Sequence, residues 1–154
     1  MMETNGIMGI GVMKKLVLIC LGLSLLWGCA SVDEEAVVRR KVFEAEKRIG
    51  EEMIEAFRKR DFERFVRRFP SGGHGKYGRE QFEQEQREAA SRLGEIVSYR
   101  FLTQLELEPA HHLVWAVRFE SRTLKGDPIY REAIFSIVVG EVDGQRRVFL
   151  FGFQ

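Results

Sequence analysis

At Gly94 the spacing of apolar residues changes from a period of about 3.6 to a period of 2, and it changes only once. A chain with all its helical periodicity before one point and all its strand periodicity after it does not build alternating strand–helix–strand units. Its helices must instead pack together on an antiparallel sheet. In the first half, Val38, Val42, Ala45, Ile49, Met53 and Ala56 recur every three or four residues, and Phe43, Ile54 and Phe57 widen the stripe. This predicts one long helix over 33–60, with Asp33, Glu34 and Glu35 at the end where the helix dipole favours negative charge. Gly50 is its one weak point. Asp61 is placed to cap a second, short helix carrying Phe62, Phe65, Val66 and Phe69, which Pro70-Ser71-Gly72-Gly73 ends. A third helix is expected over 79–93, with Phe82, Gln86, Ala89, Ala90 and Leu93 on one side and Gly94 as its stop.

In the second half, Val97, Tyr99, Phe101, Thr103, Leu105 and Leu107 alternate with polar residues up to Pro109. Leu113, Trp115, Val117 and Phe119 alternate with Ala116, Arg118 and Glu120 in a second strand. Residues 130–139 are apolar on both faces, as in a central strand. Asp143-Gly144 is a hairpin turn, and Phe149, Phe151 and Phe153 share one face of the last strand. The expected fold class is α+β: three N-terminal helices packed on a curved four-stranded antiparallel sheet.

The N-terminus is built differently. Lys14 and Lys15 precede thirteen residues without a charge, Leu16 to Gly28, and then Cys29. A basic start, a short apolar core and a small residue before the cut make an export signal. The run falls short of the roughly 20 apolar residues that span a bilayer, although an uncleaved signal anchor is the alternative. With a cysteine at the cut, Leu26-Trp27-Gly28-Cys29 resembles a bacterial lipoprotein signal peptide. That resemblance implies residues 1–28 as signal, lipid on Cys29, residues 29–32 as a tether and residues 33–154 as the domain. Residues 1–12 are read as a start-site artefact ahead of Met13. Ala30 after the cysteine implies, by the same resemblance, the outer membrane facing the periplasm. Loss of Glu3, Lys14 and Lys15 takes a chain of formal charge +1 to neutrality, so no basic block argues for nucleic acid. Cys20 leaves with the signal, and the domain retains no thiol for a disulfide or a metal.

The order of elements resembles the nuclear transport factor 2-like superfamily, and its small uncharacterised exported or lipid-anchored members most of all. The residues that carry the likeness are Phe57-Arg58-Lys59-Arg60-Asp61-Phe62 at the end of the long helix, Gln81-Phe82 through Arg87, Arg92-Leu93-Gly94-Glu95-Ile96-Val97-Ser98, and Gly152-Phe153. The resemblance implies a cone-shaped α+β domain that hosts many activities, and dimers that pair through the sheet face.

Chemistry is sparse. His111 and His112 are adjacent, so on a strand they point to opposite faces and cannot share a metal; they are read as turn residues. His74 lies in a glycine-rich connector that lacks the ending of a phosphate-binding loop. Arg39, Arg40 and Lys41 are read as a solvated helix face. Isomerase-type chemistry would need a carboxylate base and phenol donors inside the cone, for which Glu132, Tyr99 and Tyr130 are the candidates, with Trp115 as a pocket wall. No cofactor and no metal site is expected. The expectation is a lipid-anchored, non-enzymatic envelope protein whose domain serves binding or assembly. The alternatives are a small-molecule binder that uses the cone cavity and an isomerase-like or hydrolase-like enzyme.

If Cys29 carries lipid, Cys29→Ser should move the protein from the membrane to the soluble envelope fraction or leave its precursor uncut. One acyl chain binds membranes only marginally, whereas the three implied by the resemblance should hold the wild type through salt and carbonate washes. Wild-type protein in the soluble fraction after cell breakage would refute the anchor.

Overall fold

The computed structural model describes residues 33–70 and 77–154. The signal and lipidation positions, His74 and most of the glycine-rich connector fall outside the described residues. The chain divides at Arg40 into two units. Residues 33–40 begin the first helix and are exposed throughout, and residues 41–154 hold the sheet and core. Among the described residues, three helices precede four strands: α1 (Glu34–Arg58), α2 (Phe62–Val66), α3 (Arg79–Arg92), β1 (Glu95–Leu107), β2 (Ala110–Arg122), β3 (Pro128–Val142) and β4 (Gln145–Phe153). The strands pair antiparallel in the order β1-β2-β3-β4, so the sheet is a meander with β2 and β3 inside it.

The inner face of the sheet packs under α1. Leu113, Trp115, Val117 and Phe119 of β2 are almost wholly buried there, as their alternation predicts, beside Phe135, Ile137 and Val139 of β3. Trp115 lies directly beneath Gly50. A Cβ built on Gly50 would come within 2.1 Å of the indole, so the residue that looks like a flaw in the helix is the point where backbone and ring touch. About two turns earlier on α1, Phe43 packs edge-on to Phe101. Asp61 caps α2 by accepting a hydrogen bond from the Arg64 N–H at 3.0 Å. The Gln86 amide, on the apolar side of α3, donates to the Phe57 carbonyl and joins α3 to the C-terminal end of α1.

Three single-residue irregularities correct the strand patterns drawn from sequence. In β1 the register steps past Val97 and again past Leu102, and in β4 it steps past Phe149. Each extra residue moves the residues after it to the other side of the sheet. Tyr99 and Phe101 therefore face inward, but Leu105 and Leu107 do not; they are about half exposed on the outer face, and Gln104 takes the inward place opposite Leu113. Phe151 and Phe153 point into the core, whereas Phe149 lies on the outer face over Gly140, where a Cβ would be 2.7 Å from its ring. His111 and His112 belong to β2 and not to a turn, because the strand starts at Ala110. Asp143 and Gly144 form the expected tight hairpin turn, both with positive φ.

Trp115→Ala should cost about 3–5 kcal/mol, as large aromatic truncations in cores do, and Arg118→Ala on the outer face less than about 1 kcal/mol. Gly50→Ala, which in an exposed helix would stabilise by about 1 kcal/mol, should here destabilise by about 1–3 kcal/mol. Urea denaturation of the three variants checks the register: a stabilised Gly50→Ala would place Trp115 elsewhere.

Candidate functional site

A cavity of about 680 Å³ opens between α3, the end of α1, the first half of β3 and the C-terminal end of β4. It exists because β3 runs further than its partner. The last backbone hydrogen bonds between β3 and the end of the chain join Ile134 and Gln154, so Glu132 and Ala133 lie past the end of β4 with one edge uncovered. The floor is aromatic. Phe57, Phe151 and Phe153 line it, and behind them Phe65 touches Phe57, Phe69, Tyr77, Phe82 and Phe151 with ring centroids 5.0–6.0 Å apart. Ala89 of α3 and Leu93, which caps that helix, complete the apolar wall.

The rim is polar and mostly acidic. Gln81, Glu85, Glu88 and Arg92 come from α3 and Glu132 from β3. Glu85 is held in place: the Tyr77 hydroxyl donates to one carboxylate oxygen at 2.6 Å and the Gln81 amide to the other at 3.2 Å. Burial, then the hydrogen bond to Glu85 and its negative charge, push the Tyr77 hydroxyl pKa far above the ordinary phenol value, so this group is a donor at any physiological pH. Glu88 accepts from Gln84 at 3.0 Å, and both Glu88 and Glu132 are exposed.

The four residues singled out from sequence do not meet. Glu132 and Tyr130 are on the outer-face register of β3, where the Arg118 guanidinium lies 4.1 Å from the Tyr130 ring centroid. Tyr99 faces inward beneath α1, where burial and the neighbouring Glu55 and Glu51 charges raise its pKa. Trp115 is sealed under Gly50 and is not a wall of the cavity. Only Glu132 reaches it.

A second polar cluster lies elsewhere, and sequence reasoning missed it. Glu46 of α1 is completely buried, with one oxygen 2.7 Å from His111 Nδ1 and the other 3.3 Å from an Arg146 guanidinium nitrogen. Arg146 also approaches Glu141 at 3.6 Å. The signal was available: Glu46 stands on the apolar stripe between Val42, Ile49 and Met53, where a carboxylate can be buried only if it is paired. It ties α1 to the start of β2 and the start of β4. Among the described residues no group of three His, Cys, Asp or Glu could hold a metal ion, and no helix is long and apolar enough to cross a membrane.

No protein-family model matches this chain, and no curated protein matches it. Solved structures do. Aln2 from a Streptomyces species superposes with a TM-score of 0.51 at 15% identity, over 74% of this chain and 90% of its own. An NTF-2-like protein of unknown function from Shewanella oneidensis MR-1 gives a TM-score of 0.43 at 13% identity, over 72% and 97%. The fold is nuclear transport factor 2-like. At these identities the likeness is one of fold, and in a nuclear transport factor 2-like fold the activity must be argued from the site.

Removing one partner of a buried ion pair strands the other charge, at a cost of ~3–5 kcal/mol when no solvent reaches it. Arg146→Ala leaves Glu46 buried with His111 alone, so a loss of about 2–4 kcal/mol is expected, and adding Glu46→Gln should recover part of it. Additive losses in denaturation of the single and double variants would mean that the pair does not act as a unit.

Proposed function

We propose that this chain is an exported protein held in the bacterial envelope by lipid on Cys29, and that its nuclear transport factor 2-like domain binds a small molecule without transforming it. The observation that carries the binding role is the cavity: about 680 Å³, with aromatic walls and a few polar groups at its mouth. That size and lining are those of drug-sized ligand sites. Its carboxylates sit at an open rim and not inside an apolar interior, which is where a general base gains its raised pKa. The dispersed positions of Glu132, Tyr99 and Tyr130 point the same way.

A second copy on the outer sheet face is a compatible further reading, favoured by one row of residues. Leu105, His112, Val138 and Leu150 are cross-strand neighbours there, and Leu105 and Leu150 are 50% and 66% exposed. Phe149 and Leu107 extend the apolar surface. Such a row on an interior-paired sheet is more than scattered surface hydrophobicity and fits a self-complementary contact.

Ala89→Phe places a ring in the cavity from a half-exposed helix position and should leave the fold intact. Organic extraction of natively purified protein, read by mass spectrometry, should find a small molecule with the wild type and not with Ala89→Phe. Finding none with either, or equal amounts with both, would remove the binding role. For the second reading, Leu105→Glu with Leu150→Glu should convert dimers to monomers in sedimentation, and a wild type that is already monomeric at 100 μM (a concentration on the order of that which populates weak dimers) would end it.

A further inference from the structure

The cavity walls and rim together say more about the ligand than its size does. We infer that the site is selective for an apolar body carrying a cationic head, of the class of hydrophobic amines, over a neutral or anionic ligand of the same shape; this rests on the binding role proposed above. Three acidic residues, Glu85, Glu88 and Glu132, line the site against one basic residue, Arg92. Glu85 is pre-positioned, because Tyr77 and Gln81 each hold one of its oxygens. An ionised carboxylate offers about four acceptor directions, so two remain for an ammonium group. The aromatic floor gives an independent reason of the same sign. Ring faces carry negative charge density, and cations positioned over Phe or Tyr are attracted to it. An anionic head would meet the acidic rim with the wrong sign and would have Arg92 as the one cation in its favour.

The chemistry of the Tyr77–Glu85 pair sharpens the choice. The Tyr77 hydroxyl spends its only proton on Glu85, so it offers the cavity lone pairs and no donor. Glu88 and Glu132 have only acceptors to give. A ligand whose head donates hydrogen bonds therefore finds charged partners, and one whose head only accepts finds Arg92 and the amides of Gln81 and Gln154. One of the two Gln81 N–H donors is already given to Glu85.

The test uses three probes with one body: 4-phenylbutylammonium, 4-phenylbutanol and 4-phenylbutyrate. The full lipidated chain is held in zwitterionic phosphatidylcholine nanodiscs, and titration calorimetry is corrected against empty nanodiscs. The ammonium should bind about tenfold more tightly than the carboxylate, with the alcohol between them. Raising the salt from 0.02 to 0.5 M (about a fivefold shorter screening length) should reduce that ratio, because the rim is exposed. Glu88→Gln with Glu132→Gln, both exposed, should lower the ratio to about threefold or less, with the affinity of the alcohol changing less than that of the ammonium. Equal affinities for all three probes, each abolished by Ala89→Phe, would leave a binding cavity standing and overturn the cation preference. Binding of none of them, or binding that Ala89→Phe does not disturb, would overturn both the preference and the binding role. A tighter carboxylate would overturn the preference and hand the head-group role to Arg92.

Discussion

The contact between Trp115 and the backbone of α1 at Gly50 sets how closely helix and sheet approach. The indole is completely buried with no side chain between it and the helix, and any Cβ at position 50 would occupy the ring's space. A helix with glycine mid-length gives up roughly 1 kcal/mol of propensity relative to alanine. Burying a tryptophan in return is worth several times that, through the area it removes from water and the contacts it makes with Phe101 and Phe135. One turn before Gly50, Glu46 reaches the same layer, and its links to His111 and Arg146 fix the other end of the crossing. The hydrophobic contact sets the distance and the ionic one sets the rotation. With α1 placed, the aromatic cluster around Phe65 has its lid, and α3 has the Phe57 carbonyl to receive Gln86.

The architecture is legible from sequence because it depends on period, and period survives tertiary context. The switch at Gly94, the Asp61 cap, the Asp143-Gly144 turn and the alternating apolar face of β2 are all local signals, and all appear in the structure. What alternation cannot show is where it breaks. Val97, Leu102 and Phe149 each add one residue to a strand without adding one to its neighbour. Nothing in their chemistry distinguishes them from their flanking residues, since all three are ordinary apolar side chains. The need for each bulge arises from pairing with another strand, and a strand read by itself carries no trace of it. The consequence is large: two leucines and a phenylalanine expected inside lie outside, and together with Leu150 they make the apolar outer surface.

The candidate site divides along the same line. Glu132 is visible in sequence as a carboxylate on a strand, and it does reach the cavity, but as a rim residue beside α3. Tyr99 and Tyr130 join it only by residue type, and their separation follows from pairing: Tyr99 lies opposite the inward-facing Val117, whereas Tyr130 lies opposite Glu120 on the other face of β2. Glu46 meets His111 from 65 residues away and Arg146 from further still, and local periodicity contains no information about such a meeting. Only the misfit of Glu46 within an apolar stripe is visible beforehand. A charged residue on a buried stripe is best treated as a demand for an undiscovered partner.

Why the cavity stays open is a question about α3. A helix lying over an aromatic floor gains apolar contact by collapsing onto it, so something must hold it off. Phe82 anchors its first turn deep among Phe57, Phe62 and Phe65. The Arg79–Glu63 pair and the Tyr77–Glu85 hydrogen bond hold the same N-terminal half. Further along, α3 turns half-buried Ala89 toward the cavity, too small to reach the floor, before Leu93 closes the far end. The space is thus framed by large residues at both ends of the helix and a small one between them, while Glu85 and Glu88 keep the rim hydrated because carboxylates resist burial. Collapse would have to desolvate those carboxylates against Glu132 across the mouth, with Arg92 as the one cation among the lining residues to offset them. The acidic rim that would select a ligand is also what prevents the empty site from closing.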